Sequence, residues 1–174
     1  MNVGLSKYTA CICEGAAEQV IIRKLLDNTS LIFKYDELIE EDVLRCRDAK
    51  TFEDRYLRKG FSGKITVYRI LDSRRENFRL SKAYADKVDV VNVITAPEIE
   101  MLVILAEGKY ADFKKYGKKP SLYCKEKLKY REVKSTAFVK QYFSDLDVLI
   151  AAIKEYKRIS DIPKGEHTLA DLLK

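Results

Sequence analysis

Residues 8–26, YTACICEGAAEQVIIRKLL, decide the predicted fold, because they carry a strand, a turn and a helix in immediate succession. Residues 8–13 have the apolar, β-branched or aromatic character of a short strand, and Gly15 interrupts that run. Apolar side chains then recur at helical spacing over residues 20–26. The stretch therefore predicts a strand that ends at an acidic residue, Glu14, and leads through a tight turn into a helix.

Two later apolar stretches predict further strands, each followed by a helix. Residues 65–72, ITVYRILD, form the clearest predicted strand, and it too ends at an acid, Asp72. Residues 88–94, VDVVNVI, are typical of a strand buried on both faces, the kind found in parallel sheets. Shorter helical patterns cover residues 51–57 and 77–87.

The segment TAPEIEMLVILAEGKY, residues 95–110, carries the start and stop signals of a helix. Thr95 is the predicted N-cap, Pro97 lies in the first turn and Gly108 lies near the end. From residue 121 onward the pattern is mainly helical. Strands that alternate with helices predict right-handed βαβ units. The expected fold class is therefore α/β, a small and mostly parallel sheet flanked by helices, with a helical C-terminal portion.

The composition is that of a single globular domain. The chain has 174 residues, of which 47% are hydrophobic and 34% are charged. Such a chain is long enough and apolar enough to bury a core, which excludes the disordered class. We expect residues 1–116 to form an α/β core and residues 117–174 to form a helical extension packed on the same domain.

The cysteines and the apolar runs favour a soluble, cytoplasmic protein. The four cysteines show no paired C-x-x-C spacing and His167 is the only histidine, which argues against structural zinc and for reduced core thiols. The first residues lack the apolar segment of a signal peptide. An apolar run such as residues 101–106 is far shorter than the roughly 20 residues that span a bilayer. We therefore expect no membrane association.

Acidic and basic residues are segregated along the chain, whose net charge is +6. Residues 58–87 hold nine Lys or Arg against three acids, and residues 109–134 hold ten against three. Residues 36–54 are the reverse, with eight acids against three bases. Basic segments are typical of proteins that bind a polyanion, because neutralised phosphates release counterions. Solvated lysines on helix surfaces explain the same charge without any ligand.

The acids at the strand ends suggest a cation site. In open α/β sheets ligands bind beyond the carboxyl ends of the strands, which is where Glu14 and Asp72 are predicted to lie. Two carboxylates at one sheet edge repel each other unless a cation lies between them, and oxygen ligands suit Mg²⁺ or Mn²⁺. Glu18, four residues after Glu14, can face the same cleft. Alternatively, each acid is only a helix-dipole partner or a turn residue.

These elements together resemble the Toprim domain, and more narrowly its RloB-like branch, which is related to the OLD nucleases. The resemblance covers residues 8–125. Its elements are Cys13-Glu14-Gly15 with Glu18 in CEGAAEQVIIRKLL, Asp72 after VYRIL, TAPEIEMLVIL with Glu100 at the glutamate position, and Tyr123-x-Lys125 beyond the apolar helix. Two positions depart from the pattern, since Arg74 stands where a second aspartate is expected and Ala96 replaces an asparagine.

The resemblance implies Mg²⁺- or Mn²⁺-dependent phosphodiester cleavage, a nuclease activity of the kind used in bacterial anti-phage defence. Glu98 and Glu100 are two residues apart, about 200° around a helix, so only one can face the cleft. The roles implied are catalysis by Glu14, Asp72 and Glu100, metal binding by Glu14, Glu18 and Asp72, and phosphate binding by Arg74, Arg75 and Lys125. Tyr68, Tyr110, Tyr116 and Tyr123 lie within or near basic stretches and are candidates for stacking on unpaired bases, although core packing or a surface position is favoured for most of them.

Two alternatives stay open at the level of sequence. The missing second aspartate allows a catalytically weakened Toprim-like module that binds nucleic acid or a partner protein without cleavage. The other alternative is an unrelated α/β protein, in which the acids only form turns. For the nuclease and for the binding module, the expected partners are DNA or RNA and a protein such as an ATPase subunit. Residues 144–159 have apolar side chains at helical spacing, which pack either on the sheet, the favoured interpretation, or against a second copy of the chain.

Overall fold

The computed structural model describes residues 8–74 and 77–174. At its centre lies a sheet of three parallel strands in the order β1 (Thr9–Cys13), β2 (Ile65–Leu71) and β3 (Val88–Ile94). Helices flank this sheet, so the expectation of an α/β fold with a small parallel sheet is confirmed. All three strands lie where β-branched and apolar residues cluster in the sequence.

The parallel register brings the carboxyl ends of the three strands to one edge of the sheet. Cys13 pairs with Ile70, and Leu71 pairs with Ile94. Single bridges extend the sheet on both sides, from Leu44 to Ile12 of β1 and from His167 to Val93 of β3. The residues that follow the strands therefore face one common region.

Seven helices surround the sheet within the described residues. Glycine or an extended residue precedes most of them, and Pro120 begins one at the position that proline favours. Their bounds are α1 (Ala16–Asp27), α2 (Ala49–Phe52), α3 (Glu98–Ala106), α4 (Tyr110–Tyr116), α5 (Pro120–Glu126), α6 (Thr136–Tyr142) and α7 (Leu146–Ile159). A π-helical turn, Glu53–Leu57, continues α2, and short 3-10 helices lie at Tyr35–Glu37, Ile39–Glu41 and Leu169–Leu172.

The core has one cluster on each face of the sheet, because successive strand side chains point to opposite faces. Ala10 and Ile12 of β1 face a cluster that contains Phe52 of α2. Cys11 and Cys13 face the larger cluster, which includes α1 and α3. The C-terminal helices contribute to this larger cluster through Val139, Phe143, Leu149, Ile153, Leu169 and Leu172.

The predicted helix over residues 77–87 is wrong. Residues 77–81 have no regular secondary structure and residues 82–87 form turns. Phe78 and Leu80 are two residues apart and both pack against the cluster around Phe52, which an extended chain allows and a helix does not. The Ser81 amide donates to the Glu53 carboxylate at 2.6 Å, which fixes this path.

Two other expectations need correction. Helix α3 begins at Glu98 rather than beside Thr95, whose side chain has other partners described below. Strand β3 is not buried on both faces, since Asp89 and Asn92 are exposed. It is one of the two outer strands of the sheet, and among the described residues a single bridge, from His167, pairs with its free side. Within residues 8–74 and 77–174, no helix has the length and apolar character needed to cross a membrane.

Candidate functional site

Glu14 and Asp72 lie side by side at the carboxyl edge of the sheet. Each directly follows its strand, and the Glu14 amide donates to the Ile70 carbonyl at 3.0 Å, which continues the β1–β2 ladder by one residue. The Glu14 Oε2 atom accepts a hydrogen bond from the Asp72 amide at 2.9 Å. The parallel register thus places two acids 58 positions apart in the sequence in direct contact.

Glu18, in the first turn of α1, is 1% exposed. Its Oε1 accepts from the Thr95 hydroxyl at 3.1 Å, and that hydroxyl also lies 3.0 Å from the Leu71 carbonyl. Thr95 follows β3 directly, and its amide donates to Leu71 at 2.8 Å. Glu18 therefore joins the ends of β2 and β3 to the first turn of α1, and this role of Thr95 replaces the predicted N-cap.

Gly15 makes the position of Glu18 possible. A Cβ atom at residue 15 would lie 1.9 Å from Glu18 Oε2 and 2.9 Å from Glu18 Cδ. The φ of Gly15 is −100°, which any residue adopts. Glycine is required here because of space and not because of backbone conformation.

Glu100, in the first turn of α3, adds a fourth carboxylate to Glu14, Asp72 and Glu18. It is 9% exposed, and its buried Oε2 has no hydrogen-bond donor among the residues that the structure describes. Burial raises the pKa of Glu100, the positive charge of Lys134 opposes this rise, and the charges of Asp72 and Glu18 add to it. Glu100 therefore belongs to the same electrostatic group as Asp72 and Glu18.

Lys134 supplies the positive charge of this group. Its Nζ donates to Asp72 Oδ1 at 2.5 Å, and both side chains are partly buried. Burial alone would lower the pKa of Lys134, but the hydrogen bond to Asp72 and the charges of Glu100, Asp72 and Glu18 outweigh burial and raise it. Lys134 is the last base of the segment 109–134, and nothing in the sequence distinguishes it from the other bases there.

Of the three predicted phosphate-binding residues, Arg74 and Lys125 are described by the structure, and neither has a hydrogen bond or ion pair to Glu14, Glu18, Asp72 or Glu100 within the described residues. Arg74 is engaged by Glu166, which accepts from its Nε at 2.7 Å and from its Nη2 at 2.8 Å. Arg75 lies outside the described residues. Lys125 is exposed on α5. Of the predicted site residues, Glu14 contacts the amide of Asp72, and Asp72, Glu18 and Glu100 act on the same ammonium, that of Lys134. Arg74 pairs with Glu166 instead.

Two arginines that the sequence analysis missed lie beside Glu14. Arg45 and Arg47 line a hollow of about 360 Å³ with Glu14 and Ala16. Both are exposed, while Leu44 and Cys46 between and beside them are buried. The sequence analysis passed over these arginines because the segment 36–54 is acidic overall. The alternation of apolar and basic residues over 44–47 is the pattern that could have identified them.

Glu98 does not join the carboxylate group. It is fully buried, and its Oε2 accepts from the Leu169 amide at 3.4 Å, on the side of α3 away from Glu100. Burial raises the pKa of Glu98 to about 8. Glu98 and Glu100 thus have different charged neighbours, Asp171 and Lys157 for Glu98 and Lys134, Asp72 and Glu18 for Glu100.

The tyrosines named for base stacking are largely occupied within the protein. Tyr68 stacks on Phe33 with ring centroids 5.1 Å apart. Tyr123 is 4% exposed and lies edge-on to Tyr116 at 5.3 Å. Tyr116 in turn donates its hydroxyl hydrogen bond to Glu126. Tyr110 is half-buried, with the Lys114 ammonium 5.7 Å from its ring.

The residue types at this site suit a divalent cation, but their side chains are not arranged to bind one together. Glu14, Asp72 and Glu100 offer hard oxygen atoms, and Glu100 Oε2 is a buried acceptor with no donor among the described residues. However, within residues 8–74 and 77–174 no three His, Cys, Asp or Glu side chains are placed to hold a metal ion together. A metal would have to compete with Lys134 for Asp72.

No protein-family model, no curated protein and no solved structure matches this chain. The resemblance to Toprim domains therefore rests on the motif residues alone. Their contacts in the folded chain are the basis for any functional conclusion.

Proposed function

We propose that the chain is a metal-dependent nuclease that cleaves phosphodiester bonds at the carboxyl edge of its sheet. The observation that carries the proposal is the contact between Glu14 Oε2 and the Asp72 amide, which joins the ends of two neighbouring parallel strands. This edge is where ligands bind in open α/β sheets. The proposal agrees with the Toprim resemblance, in which the same two positions carry catalytic acids.

Glu14, Asp72 and Glu100 would hold Mg²⁺ or Mn²⁺, and Glu18 would support them from below through Thr95. When bound, such a metal supplies an activated water and stabilises the charge that develops on phosphate oxygens. Lys134 contributes a fixed positive charge within the same group. Its ammonium can transfer its hydrogen bond from Asp72 to a phosphate oxygen, which would leave Asp72 available for the cation.

The ion pair between Lys134 and Asp72 favours a second candidate function, binding without cleavage. In that case the ammonium is the permanent counter-ion of the carboxylates, and no divalent cation is needed. The module would then hold nucleic acid near this edge for another protein to act on. A cleavage assay on the purified protein distinguishes the two functions.

The test is cleavage of labelled single- and double-stranded DNA and RNA with Mg²⁺, Mn²⁺ or EDTA. We expect wild-type protein to cut at least one substrate in a metal-dependent manner. Glu14→Gln and Asp72→Asn should each lower the rate at least 100-fold, because they remove charged oxygen ligands while keeping the side-chain shape. Glu155→Gln is the matched control, since its carboxylate pairs with Arg158 on α7.

The control separates catalysis from folding. All four proteins should show the same circular dichroism and the same cooperative unfolding. Absence of cleavage by wild type with either metal, or full activity of both site variants, would overturn the nuclease proposal. Metal-independent binding without cleavage would support the second candidate.

A further inference from the structure

Arg45 and Arg47 form a pair of positive charges on one side of an extended segment. Leu44 of this segment bridges Ile12 of β1, and its amide donates to the Cys11 carbonyl at 2.7 Å. Residues in extended chains rise about 3.3 Å each, and alternate residues share a face. Because Leu44 and Cys46 are buried, both arginines point outward along the same side.

Arg45 is held close to the first turn of α1. Its Nη2 donates to Gln19 Oε1 at 3.2 Å. The amide of Gln19 carries no charge, so this bond orients the guanidinium without neutralising it. Arg23, by contrast, is bound by both carboxylate oxygens of Asp42, at 3.1 and 3.0 Å.

The hollow beside Glu14 continues past Arg45 into a second groove. Arg45 lines both, and the second groove has a volume of about 500 Å³. Its walls are α1 and α6, with Lys24, Lys140 and Arg23 against a single acid, Asp27. A continuous basic channel therefore runs along α1 and ends at the proposed catalytic acid.

We propose that this channel, defined by Arg45, Arg47 and Lys140, binds the sugar–phosphate backbone of a nucleic-acid strand. Guanidinium groups offer paired donors that match phosphate oxygens. The channel leads a bound strand to Glu14, whereas the lysines of α4 and α5 are not among the residues that line it. That the bound strand is a substrate rests on the proposed function, but the binding itself needs no cleavage.

The sequence analysis linked polyanion binding to the basic segments 58–87 and 109–134, which do not contain Arg45 or Arg47. Residues 109–134 hold ten bases, and several of them lie on α4 and α5, including Lys114 and Lys115. Arg45 and Arg47 come from the acidic segment 36–54. The proposal and the sequence expectation therefore predict different effects for two matched pairs of substitutions.

The test measures fluorescence anisotropy of labelled oligonucleotides of about 20 nucleotides, long enough for the site sizes of single-strand binders. Single-stranded DNA, single-stranded RNA and duplex DNA serve as separate probes, with EDTA present to prevent cleavage. The proteins are wild type, Arg45→Gln/Arg47→Gln, Lys114→Gln/Lys115→Gln and Glu14→Gln. Salt is varied between about 50 and 200 mM.

We expect Arg45→Gln/Arg47→Gln to weaken binding at least about tenfold and to reduce the salt slope by about 1.4 for a single strand. Lys114→Gln/Lys115→Gln should change affinity less than about threefold, and Glu14→Gln should bind at least as well as wild type. Both arginines are exposed, so their replacement should leave thermal unfolding unchanged.

Several outcomes overturn the inference: no binding of any probe by wild type, equal losses in the two double variants, or wild-type affinity in the arginine variant. The result is independent of the cleavage assay. Arginine-dependent binding without any cleavage would leave the inference standing and remove the nuclease function. Wild-type affinity in the arginine variant, together with metal-dependent cleavage, would remove the inference and leave the nuclease function.

Discussion

The ammonium of Lys134 lies 2.5 Å from Asp72 Oδ1, at the centre of a group that also contains Glu100 and Glu18. It compensates the charge of carboxylates that otherwise repel one another. Asp72 follows β2, while Lys134 precedes α6, so this ion pair joins the sheet to the C-terminal helices. The carboxylate of Asp72 therefore pairs with the Lys134 ammonium at the position where a metal ion would bind it.

Lys134→Gln should make the site more responsive to divalent cations. Without the ammonium, the carboxylates repel each other, and the free energy of unfolding should fall by about 1 kcal/mol, as for a partly exposed pair. Mg²⁺ should then raise the stability of the variant more than that of wild type. Urea denaturation with and without Mg²⁺ measures both effects, and Lys154→Gln on α7 is the exposed control. Identical Mg²⁺ responses of variant and wild type would contradict a cation site here.

Stability should fall with rising pH because of Glu98. Burial raises its pKa from 4.5 to about 8, so between these values the folded protein keeps a proton that the unfolded chain has lost. The free energy of unfolding therefore decreases as pH rises through this window, by up to about 1.4 kcal/mol per pH unit. Below the window the contribution is fully present, and above about 8 it is lost.

Glu98→Gln should remove this pH dependence, because the amide resembles the protonated acid and does not titrate. Urea denaturation at several pH values between about 5 and 8 gives the two slopes. Glu100, whose pKa burial also raises, remains in both proteins and cancels in the comparison. Equal slopes for variant and wild type would refute the assignment to Glu98.

Gly15→Ala should destabilise the protein through Glu18. The new methyl group would lie 1.9 Å from Glu18 Oε2 and would push the carboxylate away from Thr95. We expect a loss of about 1–3 kcal/mol, the usual range for added volume in a packed site. In the double variant Gly15→Ala/Glu18→Ala the clash is absent, so a double-mutant cycle should give strongly non-additive losses. Additive losses would show that the two residues act separately.

Glu166→Gln should strengthen nucleic-acid binding by releasing Arg74. At present both oxygens of Glu166 hold the Arg74 guanidinium. The variant gains one cation for phosphate contact, and the salt slope should steepen by about 0.7–0.9. Arg74→Gln should change affinity little, because its charge is already compensated. A loss from Arg74→Gln as large as that from the arginine pair at 45 and 47 would place Arg74 in the binding surface instead.

Phe143→Ala tests whether the C-terminal helices share one core with the sheet. Phe143 is fully buried in the cluster that also contains Ile21 and Ile99. Its loss should cost about 3–5 kcal/mol while unfolding remains a single transition. Leu122→Ala, at a side chain 39% exposed, should cost less than about 0.5 kcal/mol. Two separate unfolding transitions would indicate that residues 117–174 form an independent unit.

The sequence predicted those elements in which local preference and tertiary packing agree. Strand β3 has the predicted bounds, and β2 differs from its predicted bounds by one residue. The helix over residues 77–87 failed, because Phe78 and Leu80 pack against Phe52 across the sheet face and hold the chain extended. Local helical preference is weak compared with burial of two large apolar side chains.

By itself, the sequence determined that acids end two strands and that a glycine and a glutamate follow the first. Parallel pairing then made the meeting of Glu14 and Asp72 predictable, since such strands share a carboxyl edge. Only the tertiary structure placed Lys134 on Asp72, Glu166 on Arg74, and Arg45 and Arg47 beside Glu14. These contacts join residues that are distant in the sequence, up to 92 positions apart for Arg74 and Glu166. No local periodicity specifies such distances, because they depend on how separate elements bury their apolar faces together.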